Sequence, residues 1–391
     1  MKRTSSIAAA FLIVAVAAVY VLFFRTDPLS ARAEAIVQMC AGAPERSACY
    51  ESQIPILYPA LSVTQIFDLV RMIRKDDVSY QFCHVLAHKI GERVVAENPD
   101  KWVDAIPWNP ADGLCSNGYI HGVIGGRFRA EVLNDATIEK LLPDFTRACA
   151  SRANWNPSDL DRAICYHGMG HLFDFITNAD IRTALNLCRE VASENFQRVC
   201  IQGVFMQIYQ PLEPDDYQLI KQMKNKPATS TVRTYCAQFS DSLEHGSCLE
   251  ESWPFFKDGI FNGRGVASFC SGQPNATETD QCYMSVSSII GRTSLGNSGR
   301  TVSACNNFPD NRKATCFSFS AEAVLEEDRT DAESAIALCN RAAPDIARTC
   351  ILDLIDHARF VFGGDVMAYN HFCAALPAAY TSSCSEHSSQ Q

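Results

Sequence analysis

Five of the nine histidines, His84, His88, His121, His167 and His171, fall in the first half of the chain, and their spacing carries the chemical content. Cys115-Ser-Asn-Gly-Tyr-Ile-His121 and Cys165-Tyr-His-Gly-Met-Gly-His171 share the pattern C-x-x-G-x-x-H. Cys200-Ile-Gln-Gly-Val-Phe-Met206 repeats the frame with Met in the His position, and Cys83-His-Val-Leu-Ala-His88 repeats it one residue out of step. On helices, His84/His88 and His167/His171 are i, i+4 pairs, so each pair points to one side. Asn117 with His121, and Gln202 with Met206, hold the same two positions in their own segments. Imidazoles converging from neighbouring helices form a site for zinc, copper or non-haem iron, in the way that bundle proteins build metal sites from facing helices.

These five histidines are the expected metal ligands. Met206 is an additional candidate, and its thioether draws the choice toward copper. Glu92, one turn on from His88, and Asp174, three residues after His171, are candidate outer partners or bases. Asn117 joins them because it occupies the place that His167 holds in its unit. Gly118, Gly168 and Gly203 recur one position along in each segment, and Gly125-Gly126 follows His121. Helix-interior glycine costs stability, so these positions point to the close approach of a neighbouring backbone or a ligand. The competing reading is inherited packing, in which each ring bonds a backbone carbonyl, or a histidine row lining a peptide groove. His245, His357, His371 and His387 show no such grouping and read as ordinary surface or packing residues. No catalytic residue is assigned.

The elements that must position these side chains follow from the cysteines. The chain of 391 residues holds 18 of them. Cys248, Cys282, Cys316, Cys350 and Cys384 are each 34 residues apart, and Cys236, Cys270, Cys305, Cys339 and Cys373 run in parallel at 34 or 35. Two longer gaps, from Cys115 to Cys165 and from Cys200 to Cys248, read as one repeat each with an insertion. Within the unit around Cys339, Thr330 and Glu333 form a capping box. Ala332, Ala335, Ile336 and Cys339 then keep helical spacing. Pro344 opens a second helix carrying Ile351, Leu352, Leu354, Ile355 and Ala358, and Gly363-Gly364 closes it. The unit is therefore a helix-turn-helix.

Cysteines five or six residues either side of the turn face one another in such a hairpin, which suits a disulfide. The expected pairs are Cys40–Cys49, Cys149–Cys165, Cys188–Cys200, Cys236–Cys248, Cys270–Cys282, Cys305–Cys316, Cys339–Cys350 and Cys373–Cys384. Cys83 and Cys115 lack such partners and either bridge neighbouring units or stay free. No C-x-x-C occurs, which removes zinc ribbons, ferredoxin-type clusters and haem attachment. There is likewise no P-loop, G-x-G-x-x-G, G-x-S-x-G or H-E-x-x-H, so no nucleotide signature is present.

The period and the paired helices are similar to tetratricopeptide-type α-solenoids over residues 38–391, although that family's Trp, Gly-Tyr and terminal Pro pattern is missing. The similarity implies the architecture and no functional residue. The expected fold is all-α: an α-solenoid of about ten repeats of roughly 34 residues, stapled by disulfides. A His-bearing half covers 38–210 and a second half 211–391. Helical-repeat hydroxylases with di-iron centres use His-Glu pairs; this chain has no His-Glu dipeptide.

Lys2 and Arg3 precede an uncharged apolar run from Ile7 to Phe24, whose 18 residues are long enough to span a hydrocarbon core about 30 Å thick. The expected organisation is a cytoplasmic tail (1–6), a transmembrane signal anchor (7–24), a linker (25–37) and an extracytoplasmic repeat domain (38–391). Ala31-Arg32-Ala33 offers a cleavage site as the competitor. The positive end stays inside, so the body is periplasmic or extracellular, in keeping with its cysteine content. Lys plus Arg is 34 against 44 Asp plus Glu, a net charge of -10, which excludes a nucleic-acid footprint. The expected partners are the membrane, through the N-terminal helix, and a protein or peptide in the solenoid groove. Two function classes stand: a metal-dependent oxidoreductase or hydrolase, and a non-enzymatic binding scaffold of the cell envelope. Glu326-Glu327-Asp328 reads as an exposed helix end, and Lys221, Lys224 and Lys226 as a solvated loop.

Overall fold

A computed structural model describes residues 28–77, 79–80, 82–128, 131–211, 214–223, 226–295 and 297–388. The tail 1–6, the candidate anchor 7–24 and Lys224 lie outside the described residues. No helix among the described residues is long and apolar enough to cross a membrane.

The described residues are helical throughout, apart from loops and one isolated bridge between Arg152 and Trp155. They fall into two compact units, divided after Tyr80. The first holds α1 (Pro28–Ala41), α2 (Arg46–Gln53) and α3 (Val63–Asp76). Helix α1 covers part of the segment read from the sequence as a linker. Ser62 and Gln65 form a capping box that starts α3. Ile36, Cys40, Tyr50, Ile66 and Val70 are buried here, and Cys40–Cys49 closes the α1–α2 hairpin.

The second unit begins with α4 (His84–Glu97), α5 (Gly118–Phe128), α6 (Asp135–Ala148), α7 (Asp159–Ile176), α8 (Ile181–Val191), α9 (Glu194–Tyr209) and α10 (Pro214–Gln222). It continues with α11 (Val232–Cys236), α12 (Ser242–Glu251), α13 (Val266–Cys270), α14 (Ala276–Thr293), α15 (Ser298–Asn306) and α16 (Lys313–Glu327). The last helices are α17 (Ala332–Cys339), α18 (Pro344–Phe362), α19 (Val366–Ala375) and α20 (Ala378–Ser388), and shorter turns join them. Local chemistry sets the boundaries. Asn134, Ser158, Asp180, Asp241, Asn275, Asp331 and Asp365 accept a backbone N–H of the first helical turn. The cap at α17 is Asp331, which accepts from Ser334 N at 3.1 Å, and not the Thr330/Glu333 box that the sequence offers. Thr330 instead bonds Asp328. Pro344 opens α18, and Gly363, with φ of 54°, ends it. Along α18, Ile351, Leu354, Ile355 and Ala358 are buried, whereas Leu352 is exposed.

Every cysteine is paired. The eight hairpin disulfides join the pairs that the spacing predicts. Cys83–Cys115 is of another kind: it spans 32 residues and ties the start of α4 to the turn before α5.

The second helices of the hairpins pack each on the next, α4 on α5, α5 on α7, α7 on α9, then α12, α14, α16 and α18 in turn. The array does not stay open. Helix α18 returns to pack on α7, and Leu160 of α7 belongs to the same apolar core as Phe317, Ile351 and Phe372. Arg329 seals the return: its Nη2 donates to Asp161 Oδ1 at 2.6 Å and its Nη1 to Ala111 O at 3.0 Å. Ser116 donates to Glu327 beside it. Glu327 is consequently buried, and Glu326 nearly so, where the sequence reads as an exposed end.

Candidate metal centre

The five histidines arrive on three helices, His84 and His88 on α4, His121 on α5, His167 and His171 on α7, and α9 adds Met206. Glycines set the spacing. A Cβ at Gly122 would lie 2.1 Å from His88 O, and one at Gly203 would lie 2.1 Å from His167 O. A Cβ at Gly118 would lie 2.5 Å from the His84 carbonyl oxygen, and one at Gly168 would lie 2.7 Å from the His121 ring. Only glycine lets these backbones approach so far, as the recurring glycines imply. Gly125 is the exception, with nothing near its missing side chain.

The rings form a continuous cluster. Ring centres are 4.6 Å apart for His84–His88, 5.4 Å for His84–His121 and 5.5 Å for His88–His121. His121 then lies 5.7 Å from His167 and 5.8 Å from His171, which are 4.8 Å from each other. One ligand nitrogen each from His84, His88 and His121 fall within 4.8 Å of one another, the geometry of a three-imidazole metal cradle.

Hydrogen bonds fix the tautomers. His84 Nδ1–H donates to Cys115 O at 3.2 Å, His167 Nδ1–H to Val199 O at 3.1 Å, and His171 Nδ1–H to Gln207 Oε1 at 2.8 Å. Each leaves Nε2 as a lone pair. His121 is turned the other way, with Nε2–H donating to Ile164 O at 3.1 Å, which frees Nδ1. His88 Nε2 sits 3.0 Å from His84 Nε2. Oriented imidazoles of this kind are what second-shell carbonyls supply in metal sites. Gln207 in turn donates to Asp216 Oδ1 at 2.6 Å, so a carboxylate stands behind His171.

Burial favours the neutral form of four of the rings. It lowers the pKa of His84 and His121 well below the ordinary imidazole value, helped by His88 for the first and by His84 and His88 for the second. Burial, then His171 and Arg292, take His167 down to about 3. His171 is also lowered by burial, against the pull of Gln207 and Asp216. Neutral imidazole is the ligating form.

The turn before α5 adds backbone strain. Cys115, Ser116 and Asn117 have φ of 62°, 51° and 54°, three consecutive residues in a region that costs non-glycine residues of order 1 kcal/mol or more each. The Cys83–Cys115 bridge and the bonds of Ser116 and Asn117 hold it, and the turn aims the Cys115 carbonyl at His84.

A cavity of about 90 Å³ opens onto the cluster, lined by His84, His88, His121, His171, Met206 and Asp216 among others. Three expected outer residues do not line it. Asn117 precedes α5 and accepts from Asn109 Nδ2 at 2.6 Å, so it does not share a helical row with His121. Glu92 pairs with Lys89 at 3.5 Å. Asp174 is buried with neither oxygen hydrogen-bonded, and burial followed by Asp216 pushes its pKa up to about 8. Gln202 leaves the histidine row and donates to Glu250 Oε2 at 2.9 Å.

No family model, curated protein or solved structure matches the chain.

Two features escape the sequence reading. Gln207 and Asp216 complete the His171 chain; Asp216 sits in the insertion between Cys200 and Cys248, the one signal that marks it. His357 is not ordinary: its Nε2 lies 2.9 Å from Glu326 Oε1 and its Nδ1 3.6 Å from Glu322 Oε2, with Arg292 also on Glu326. Glu322 stands six residues after Cys316, the place of His121 and His171 in their own units.

Proposed function

We propose that the protein binds a transition-metal ion between His84, His88 and His121, and that this ion supports oxidoreductase chemistry on a small molecule. The observation that carries the reading is the convergence of three ligand nitrogens within 4.8 Å from two helices locked together by Cys83–Cys115. Copper, iron and zinc all accept an all-imidazole cradle. The cavity suits a small substrate. About 90 Å³ admits only a few water molecules or a comparably small substrate. Asp216, the one carboxylate among the described lining residues, is engaged by Gln207.

We read the second unit as an α-solenoid that curls back on itself, with the site on its second-helix face. The disulfides support an oxidising compartment, and the run 7–24 supports a membrane anchor with the body in the periplasm or outside the cell. The scaffold reading keeps one observation in its favour. A cavity of about 390 Å³ lined by Phe255, Phe256 and Phe269 with Arg233, Lys257 and Asp258 suits an apolar peptide with a charged group.

Metal content of the purified full-length protein, measured by mass spectrometry, decides between them. Near-stoichiometric metal in wild type, lost in His88→Ala and His121→Ala with the helical signal intact, is expected. Metal-free wild type after growth with added copper, iron or zinc, and again after direct loading, would leave only the scaffold.

A further inference from the structure

The contact between His167 and Met206 has no hydrogen to hold it. His167 Nδ1 lies 3.1 Å from Val199 O, so that nitrogen carries the proton. The Nε2 lone pair then faces Met206 Sδ at 3.2 Å, and a thioether has no proton to offer. Moving the proton to Nε2 satisfies the sulfur but sets the Nδ1 lone pair against the Val199 carbonyl. Protonating both nitrogens would satisfy both contacts, but it would bury a charge for which no carboxylate among the described residues stands within ion-pair distance. Two electron-pair donors thus stand face to face, on helices that Gly203, against the His167 carbonyl, and Gly170, against that of Cys200, let approach closely. A cation between Nε2 and Sδ resolves the arrangement. His171, whose ring centre is 4.8 Å from that of His167, offers its own Nε2 from the same helix face.

We propose that His167, His171 and Met206 form a second, softer metal site that takes Cu(I), distinct from the His84–His88–His121 cradle. Thioether with imidazole is a donor set for monovalent copper, whereas three imidazoles suit a divalent ion. His121 lies between the two sets, and His171 and Met206 line the same cavity as His84, His88 and His121. The inference rests on the metal reading given above and adds to it the number of sites and their selectivity.

The test loads full-length protein, disulfides intact, with acetonitrile-stabilised Cu(I) under anaerobic conditions against a chromophoric Cu(I) chelator, and separately with Co(II) read by its visible spectrum. Wild type is expected to bind Cu(I) with a sulfur scatterer in copper K-edge X-ray absorption. Met206→Leu is expected to lose that scatterer and at least tenfold in Cu(I) affinity while its Co(II) spectrum stays unchanged. His88→Ala is expected to do the reverse. Cu(I) bound by wild type with nitrogen scatterers alone, or with equal affinity in Met206→Leu, overturns the second site and leaves the three-histidine reading standing. Wild type that binds neither ion overturns both. Should Met206→Leu fail to fold, the wild-type scatterer decides the question by itself.

Discussion

Gly203→Ala is the substitution that probes the packing behind the site most directly. Its new methyl would lie 2.1 Å from the His167 carbonyl oxygen. An ordinary carbon–oxygen contact is about 3.3 Å, so α9 must retreat from α7 by about 1 Å. The obstruction is backbone and cannot rotate aside, which places the overpacking cost near the upper end of about 1–3 kcal/mol. Replacing a helix-interior glycine by alanine returns about 1 kcal/mol of helix propensity. The net expectation is a loss of about 2 kcal/mol. The same retreat widens the 3.2 Å separation of His167 Nε2 and Met206 Sδ, and metal affinity should fall by about 10–100-fold. Gly125→Ala is the matched control, since no atom lies within 4 Å of its missing Cβ, and it should stabilise by up to about 1 kcal/mol. Equilibrium urea unfolding followed by far-ultraviolet circular dichroism, on metal-free protein, measures both. A Gly203→Ala variant as stable as wild type, or two alanine variants shifted alike, would refute the close-approach argument.

Three further outcomes are expected. The double substitution Cys83→Ser and Cys115→Ser opens a 32-residue span, should cost about 3–4 kcal/mol in the chain-entropy account, and should weaken metal binding at the first cradle more than any other paired-cysteine removal, as titration of the variants would show. Asp216→Asn should leave the fold intact but loosen His171, lowering metal affinity about tenfold, and isothermal titration reads the change. For His357, burial lowers the pKa, but the hydrogen bond and charge of Glu326, then Glu322, outweigh it and raise the pKa overall. Burial alone would raise Glu326, but Arg292 and His357 outweigh it and take that carboxyl down to about 2. The His357 contribution is therefore full below the unfolded imidazole value near 6.5 and fades as pH rises through the raised folded value; that of Glu326 is present above its unfolded value near 4.5 and fades as pH falls toward about 2. His357→Gln should cost about 1–3 kcal/mol near pH 6 and less at pH 9, a trend that denaturant midpoints across pH would check.

The helical hairpins and eight of the disulfides were legible in the chain because both depend on short spacing: Cys339 and Cys350 face each other whatever surrounds them. The histidine cluster was legible for the same reason, since equivalent places on stacked units must fall in a row. What spacing does not encode is contact between distant units. Arg329 on Asp161 joins residues 168 positions apart, and no local pattern announces it. Asn117 was misplaced because its left-handed φ of 54° depends on the Cys115 bridge and the Asn109 bond, and a helical reading cannot anticipate that turn. Glu327 reads as exposed because its cover comes from Ser116, in a distant hairpin of the same unit. Asp216 had no period to mark it because it lies in an insertion.

An open repeat array tolerates truncation: end units peel away one at a time and the remainder survives. The Arg329 clasp and the seat of α18 on α7 remove that freedom here. Deleting the last hairpins would bare the apolar side of Leu160, far from the cut, so damage at the carboxyl end is transmitted to the helix that carries His167 and His171. The second unit should therefore melt in one step, and a protease nick near residue 340 should be felt at the imidazoles.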